Sequence, residues 1–170
     1  MLQAAVAAGG VGAPKDRTQS VTTPCAGMLI YRRRETSAGR SPFEFLLLKN
    51  KHKWGPPKGK AEKGERVLMQ TAVRETHEES GLTPNDYKVI EAFEPRSQQY
   101  DCKKGKDKMV TFFLAELTNL NAVVKLSHEH QHSIWLSSAE MAAGHVKFHE
   151  VIEDAEQFLT KLDSQTNSPA

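Results

Sequence analysis

Residues 74–82 read Arg-Glu-Thr-His-Glu-Glu-Ser-Gly-Leu, and ahead of them residues 58–65 read Lys-Gly-Lys-Ala-Glu-Lys-Gly-Glu. The first stretch closes a helical pattern spanning about residues 66–80, with Gly81 where a helix C-terminus favours glycine. At roughly 100° per residue, Glu79 falls about 40° from Glu75, and Glu78 about 60° to the other side. Leu68 and Ala72 fall within about 60° of Glu75, so the carboxylates lie at the edge of the buried stripe. Like charges at these spacings repel and disfavour the helix. Alone, the cluster reads as a solvated acidic face with Arg74 paired to Glu78. The neighbouring turn shifts that balance. Lys58, Lys60 and Lys63 stand beside glycines whose backbone lets an anion approach closely. Hard carboxylate oxygens beside a cationic glycine turn are what metal-assisted phosphoryl chemistry requires.

Outward from this core, Cys25–Tyr31, Phe43–Lys49, Tyr87–Pro95, Met109–Leu117 and Ile134–Leu136 read as strands. The first two form a hairpin with a long polar connection, and Ser97–Lys108 reads as a basic loop. Ser137 and Glu140 make a capping box for a short helix. Val151, Ile152, Ala155, Phe158, Leu159 and Leu162 mark an amphipathic one. Strands interleaved with few helices give an α/β or α+β sandwich. One domain over residues 21–162 is expected, with residues 1–20 a flexible lead and 163–170 a disordered tail.

The chain has 170 residues, 23 basic and 21 acidic, for a net charge of +2. That excludes a polycation and leaves room for a local phosphate-binding patch. No apolar run approaches the ~20 residues that span a bilayer. The Ala- and Gly-rich start lacks a basic n-region and is not read as a secretory signal, although Lys15 and Arg17 leave an organelle-targeting reading open. Cys25 and Cys102 have no metal-type spacing, so a reducing cytoplasm is the expected compartment, with nucleus and mitochondrion as alternatives.

Gly59, Glu65, Arg74, Glu75, Glu78, Glu79, Gly81 and Leu82 resemble the Nudix box, G-x5-E-x7-R-E-U-x-E-E-x-G-U, with U a bulky aliphatic residue. Two departures stand out: eight residues, not seven, separate Glu65 from Arg74, and Thr76 occupies the first U. The extra residue is expected at the loop-to-helix junction, and it puts in doubt the usual bracing role of Glu65. The resemblance implies the Nudix fold, an α/β/α sandwich with a mixed β-sheet. Beyond the box, Glu44–Leu48, His52–Gly59, Leu126–Gln131 and Trp135-Leu136 are similar to the animal-type asymmetrical diadenosine tetraphosphate hydrolases. That branch implies Mg²⁺-dependent attack of water on a polyphosphate chain, with Mn²⁺ as a substitute, giving ATP and AMP.

By the same resemblance, Glu75, Glu78, Glu79 and Glu129 are metal ligands, and Glu75 or Glu79 is the catalytic carboxylate that takes the proton. A dinucleoside polyphosphate is the expected partner of a monomer, with no membrane and no stable nucleic acid. Lys58, beside Gly59, is the leading phosphate contact; His52 and Lys108 are further candidates, and Lys103, Lys104 and Lys106 form a second basic cluster. Tyr100 is expected to stack on adenine, a contact worth roughly 1–3 kcal/mol per base, with Phe148 as the second side of the clamp. His77 reads as structural, and His128 and His130 lack the further ligands of a zinc site. Two rivals remain: another Nudix pyrophosphohydrolase, acting on diphosphoinositol polyphosphates or RNA 5′ ends, and a non-catalytic nucleotide or RNA binder on a Nudix scaffold.

Overall fold

The segment CAGMLIYRR is apolar at nearly every position rather than every second one, the pattern of a strand covered on both faces. In the computed structural model, which describes residues 23–34, 42–100, 108–141 and 145–166, it forms β1 (Cys25–Arg33), buried from Cys25 through Tyr31. β1 pairs antiparallel with β2 (Phe43–Lys49) and parallel with β7 (Lys108–Leu117), so the sheet is mixed. Short strands extend it. β3 (Trp54–Gly55) and β8 (His132–Leu136) pair with β2, and β4 (Lys58–Lys60) pairs with β1. β5 (Tyr87–Val89) and β6 (Arg96–Tyr100) share β7 as partner.

Helix α1 (Leu68–Ser80) covers one face of the sheet, burying Ala72 with Met28, Ile30, Leu46 and Leu48. Helices α2 (Ser138–Met141) and α3 (His149–Thr166) cover the other, where Ile152, Ala155 and Leu159 meet Leu29, Phe45 and Phe112. This is the expected α/β/α sandwich. Ile152 is fully buried, and truncation to alanine there costs about 2–5 kcal/mol. Among the described residues no helix is long and apolar enough to cross a membrane.

The structure departs from the sequence expectations at several edges. Helix α1 starts two residues late because Val67 is extended (φ −136°), and Gln70 Oε1 accepts the Arg66 N–H at 2.7 Å. This junction takes up the extra residue of the box, so Arg74 through Ser80 keep one unbroken helical register. The strand expected over 87–95 ends at Val89, while residues 97–100 of the expected basic loop, together with Arg96, pair with β7. Residues 163–166, expected in the disordered tail, are helical: α3 runs to Thr166, and Arg33 donates to both Asp163 carboxylate oxygens at 2.8 and 3.0 Å. The lead (1–20), Cys102 and the cluster Lys103, Lys104 and Lys106 lie outside the described residues.

Candidate active site

Helix α1 ends where the chain must reverse beneath β4. Gly81 takes a left-handed conformation (φ 74°), and its N–H donates to the His77 carbonyl at 2.8 Å. That cap fixes which face the last two turns present. Thr76 and Ser80 face the core, while the Glu75 and Glu79 side chains, 13% and 12% exposed, sit at its rim. Glu78 points outward, 53% exposed. His77 is exposed rather than packed, so its structural contribution is the carbonyl that receives Gly81.

Arg74 organises the carboxylates. Its Nε donates to Glu65 Oε1 at 2.7 Å, Nη1 donates to Glu75 at 2.9 Å and to Glu78 at 3.0 Å, and Nη2 donates to the Lys60 carbonyl at 2.7 Å. Glu65 also accepts from Thr71 Oγ1 at 2.7 Å and from the Glu62 N–H at 2.8 Å. Despite the longer spacing, Glu65 braces the arginine. The guanidinium, with these further donors, holds the Glu65 carboxyl down at about 2.

Gly59 passes directly over the Glu75 carboxylate, in space that a Cβ would need. The Lys58 N–H donates to Glu79 Oε2 at 2.9 Å, linking the glycine turn to the helix. Burial raises the Glu75 carboxyl above its ordinary range, opposed by Arg74. Burial raises Glu79 more, to about 7, although the Lys58 N–H opposes it. His130 Nε2 stands 3.9 Å from Glu79, its ring nitrogen Nδ1 3.1 Å from Ser127 Oγ. Burial lowers the pKa of that imidazole.

A cleft of about 830 Å³ brings Glu75, Glu78 and Glu79 together with Glu129, Lys58 and Gly59. A cleft of the same volume beside α1 and β5, lined by Met69, Val73, Tyr87 and Ile90, has one carboxylate, Glu91, and no glycine turn. Chemistry therefore favours the acidic cleft. Among the described residues, no three His, Cys, Asp or Glu side chains form a closed cage for a metal. The donor set nevertheless fits Mg²⁺, which takes one or two carboxylates and completes its shell with water and phosphate. Raised carboxyl pKa values express the same need, since a cation would relieve both desolvation and mutual repulsion.

A narrower pocket continues past Lys58 and Glu79 to Trp54, His130, Lys147 and Phe148. Tyr100 lies beside it, with Lys58 Nζ 5.9 Å and Lys147 Nζ 5.5 Å from its ring centroid. Tyr100 and Phe148 are 5.4 Å apart but cross at 85°, and Phe148 is only 5% exposed. The rings are together, as expected, but do not present two parallel faces; Phe148 also packs on Phe112. Lys108 stands opposite Tyr100 in the β6–β7 register without lining either pocket. His52 is exposed on a turn, its N–H donating to Asn50 Oδ1 at 3.1 Å, and its ring lines neither pocket. Ser127, His128 and Lys147 join the site without having been singled out as site residues. Ser127 and His128 fall in the Leu126–Gln131 stretch that carries the resemblance, whereas nothing in the local pattern separates Lys147 from an ordinary surface residue.

The description NUDIX domain matches residues 21–159 of the chain. The bis(5′-nucleosyl)-tetraphosphatase [asymmetrical] of Sus scrofa is 37% identical over 142 residues, covering 80% of this chain and 95% of the pig protein. That of Mus musculus is 38% identical over 140 residues, covering 78% and 92%. A crystal structure of a C. elegans Ap4A hydrolase binary complex superposes with a TM-score of 0.70 at 34% identity, covering 82% of this chain and 99% of that one.

Proposed function

From the premise that this chain belongs to the NUDIX family, we propose that it splits diadenosine tetraphosphate asymmetrically into ATP and AMP. The observation that carries the reading is identity of about 37% across nearly the whole length of relatives bearing that activity's name. An acidic cleft floored by a lysine-bearing glycine turn supports it.

Glu75, Glu78, Glu79 and Glu129 would hold the ion, Mg²⁺ by preference with Mn²⁺ as a substitute. Bound there, a divalent ion supplies Lewis-acid polarisation of a phosphoryl oxygen and a more acidic water. The chain's own residues do the rest. Arg74 and Glu65 hold Glu75 in place, and the Lys58 N–H holds Glu79. Glu75 or Glu79 takes the proton from the attacking water. The Lys58 ammonium attracts the phosphate chain as a point charge. Tyr100 offers a stacking face for a purine once its ring moves off Phe148.

The test is product analysis by chromatography with Mg²⁺ and a panel of substrates. Equimolar ATP and AMP from diadenosine tetraphosphate are expected. Cleavage of ADP-ribose, an inositol pyrophosphate or RNA 5′ ends, with diadenosine tetraphosphate untouched, would overturn the substrate assignment. Binding without release of ATP would overturn the enzymatic one.

A further inference from the structure

We propose that Lys147 determines specificity at this site, as a second phosphate-binding cation that favours long polyphosphate bridges over short ones; the proposal rests on the dinucleoside polyphosphate reading above. Its backbone is tied to the glycine turn. Lys147 N–H donates to the Trp54 carbonyl at 2.9 Å, the Trp54 N–H donates to the His145 carbonyl at 3.3 Å, and Trp54 bridges in parallel with Val146. The side chain is thus carried on a strap laid along β3, whose hydrogen bonds are between backbone groups and do not run through the Lys147 side chain.

Two ammonium groups, from Lys147 and Lys58, both lie within about 6 Å of the Tyr100 ring centre. Both cations stand at the pocket where Lys58 and Lys147 are lining residues, and two positive charges there attract an anion more than one does. Lys58 and Glu79 line both the acidic cleft and the narrow pocket, whereas Lys147 lines only the pocket. A phosphate held at the carboxylates meets Lys58 first. Only a bridge with further phosphates extends through to Lys147, and each added phosphate brings charge for it to bind.

The experiment compares the parent protein with Lys147→Gln and Lys147→Arg on dinucleoside polyphosphates of three, four and five phosphates. Lys147→Gln should raise KM about ten-fold for the tetra- and pentaphosphates and less than two-fold for the triphosphate, with kcat within two-fold throughout. It should also flatten the rise of KM with salt, and Lys147→Arg should restore both. A KM rise equal at every chain length, no rise for the tetraphosphate, an unchanged salt slope, or no rescue by arginine would overturn the proposal. If the parent cleaves none of these substrates, the functional reading fails separately. Binding of inorganic tripolyphosphate with Mg²⁺ then decides on Lys147: weaker binding by Lys147→Gln upholds the cation site, and equal binding overturns it.

Discussion

Replacing Glu79 by glutamine tests both halves of the site's logic, because the carboxylate should weaken the empty fold and yet be needed for turnover. Burial raises this carboxyl from its ordinary 4.5 to about 7. Between those values the folded chain binds more protons than the unfolded one, so stability falls as pH rises through the window and levels off above it. A shift of that size corresponds to about 3 kcal/mol of stability, fully present below pH 4 and lost by pH 8. Glutamine keeps an oxygen to accept the Lys58 N–H at 2.9 Å but carries no charge. In EDTA at pH 8, Glu79→Gln should therefore melt roughly 6–12 °C above the parent, and the two should converge at pH 4. Mg²⁺ should raise the parent's melting temperature more than the variant's, since an ion that binds only the folded state stabilises it by mass action. Turnover should fall at least ~10²-fold, the loss expected when a proton acceptor is removed. Calorimetry and ATP release measure these separately. Equal turnover, or coincident melting at pH 8 without metal, would refute the reasoning.

Gly59→Ala places a methyl where the Glu75 carboxylate lies, and the carboxylate is the part free to move. Turnover should drop about ten-fold or more with little change in melting temperature; an unaltered rate would remove the contact from the mechanism. Thr76 is fully buried and its Oγ1 has no hydrogen-bond partner among the described residues. Thr76→Val should raise stability by about 1–2 kcal/mol in urea titrations without changing kcat, and a loss of stability would show the hydroxyl to be satisfied. Lys58→Ala removes the ammonium but leaves the backbone donor on Glu79, so KM should rise several-fold more than kcat falls. The parent's KM should also climb with ionic strength, which a salt series reads directly.

Much of this was legible in the sequence because it depends on local spacing. The register from Arg74 to Gly81, the cap at Gly81 and the buried runs of β1, β2 and β7 need only helical or strand periodicity. Strands β3 and β4 were not legible, since pairings of two and three residues in a Gly-, Pro- and Lys-rich segment leave no periodicity to read, and the polar run of β6 shows no apolar alternation. The bracing of Arg74 by Glu65 was obscured by one extra residue, which Val67 absorbs in an extended conformation. His52, expected at the phosphates, is exposed on the turn at 50–53 and lines neither cleft. The crossed Tyr100–Phe148 rings and the placement of Lys147 depend on how residues 145–148 fold back onto Trp54.

That fold-back has a further consequence for synthesis of the protein. The strap at 145–147 joins Trp54 across about ninety residues of chain, and the helix that follows buries Phe45 and Phe112. A nascent polypeptide that has left the ribosome only through α1 already carries Glu75, Glu78 and Glu79, yet Glu129, one flank of the substrate groove and one whole side of the sheet are still to come. Such contacts of high sequence separation close late. Premature termination just after β8 should therefore yield an inactive, aggregation-prone fragment with its apolar sheet face bare.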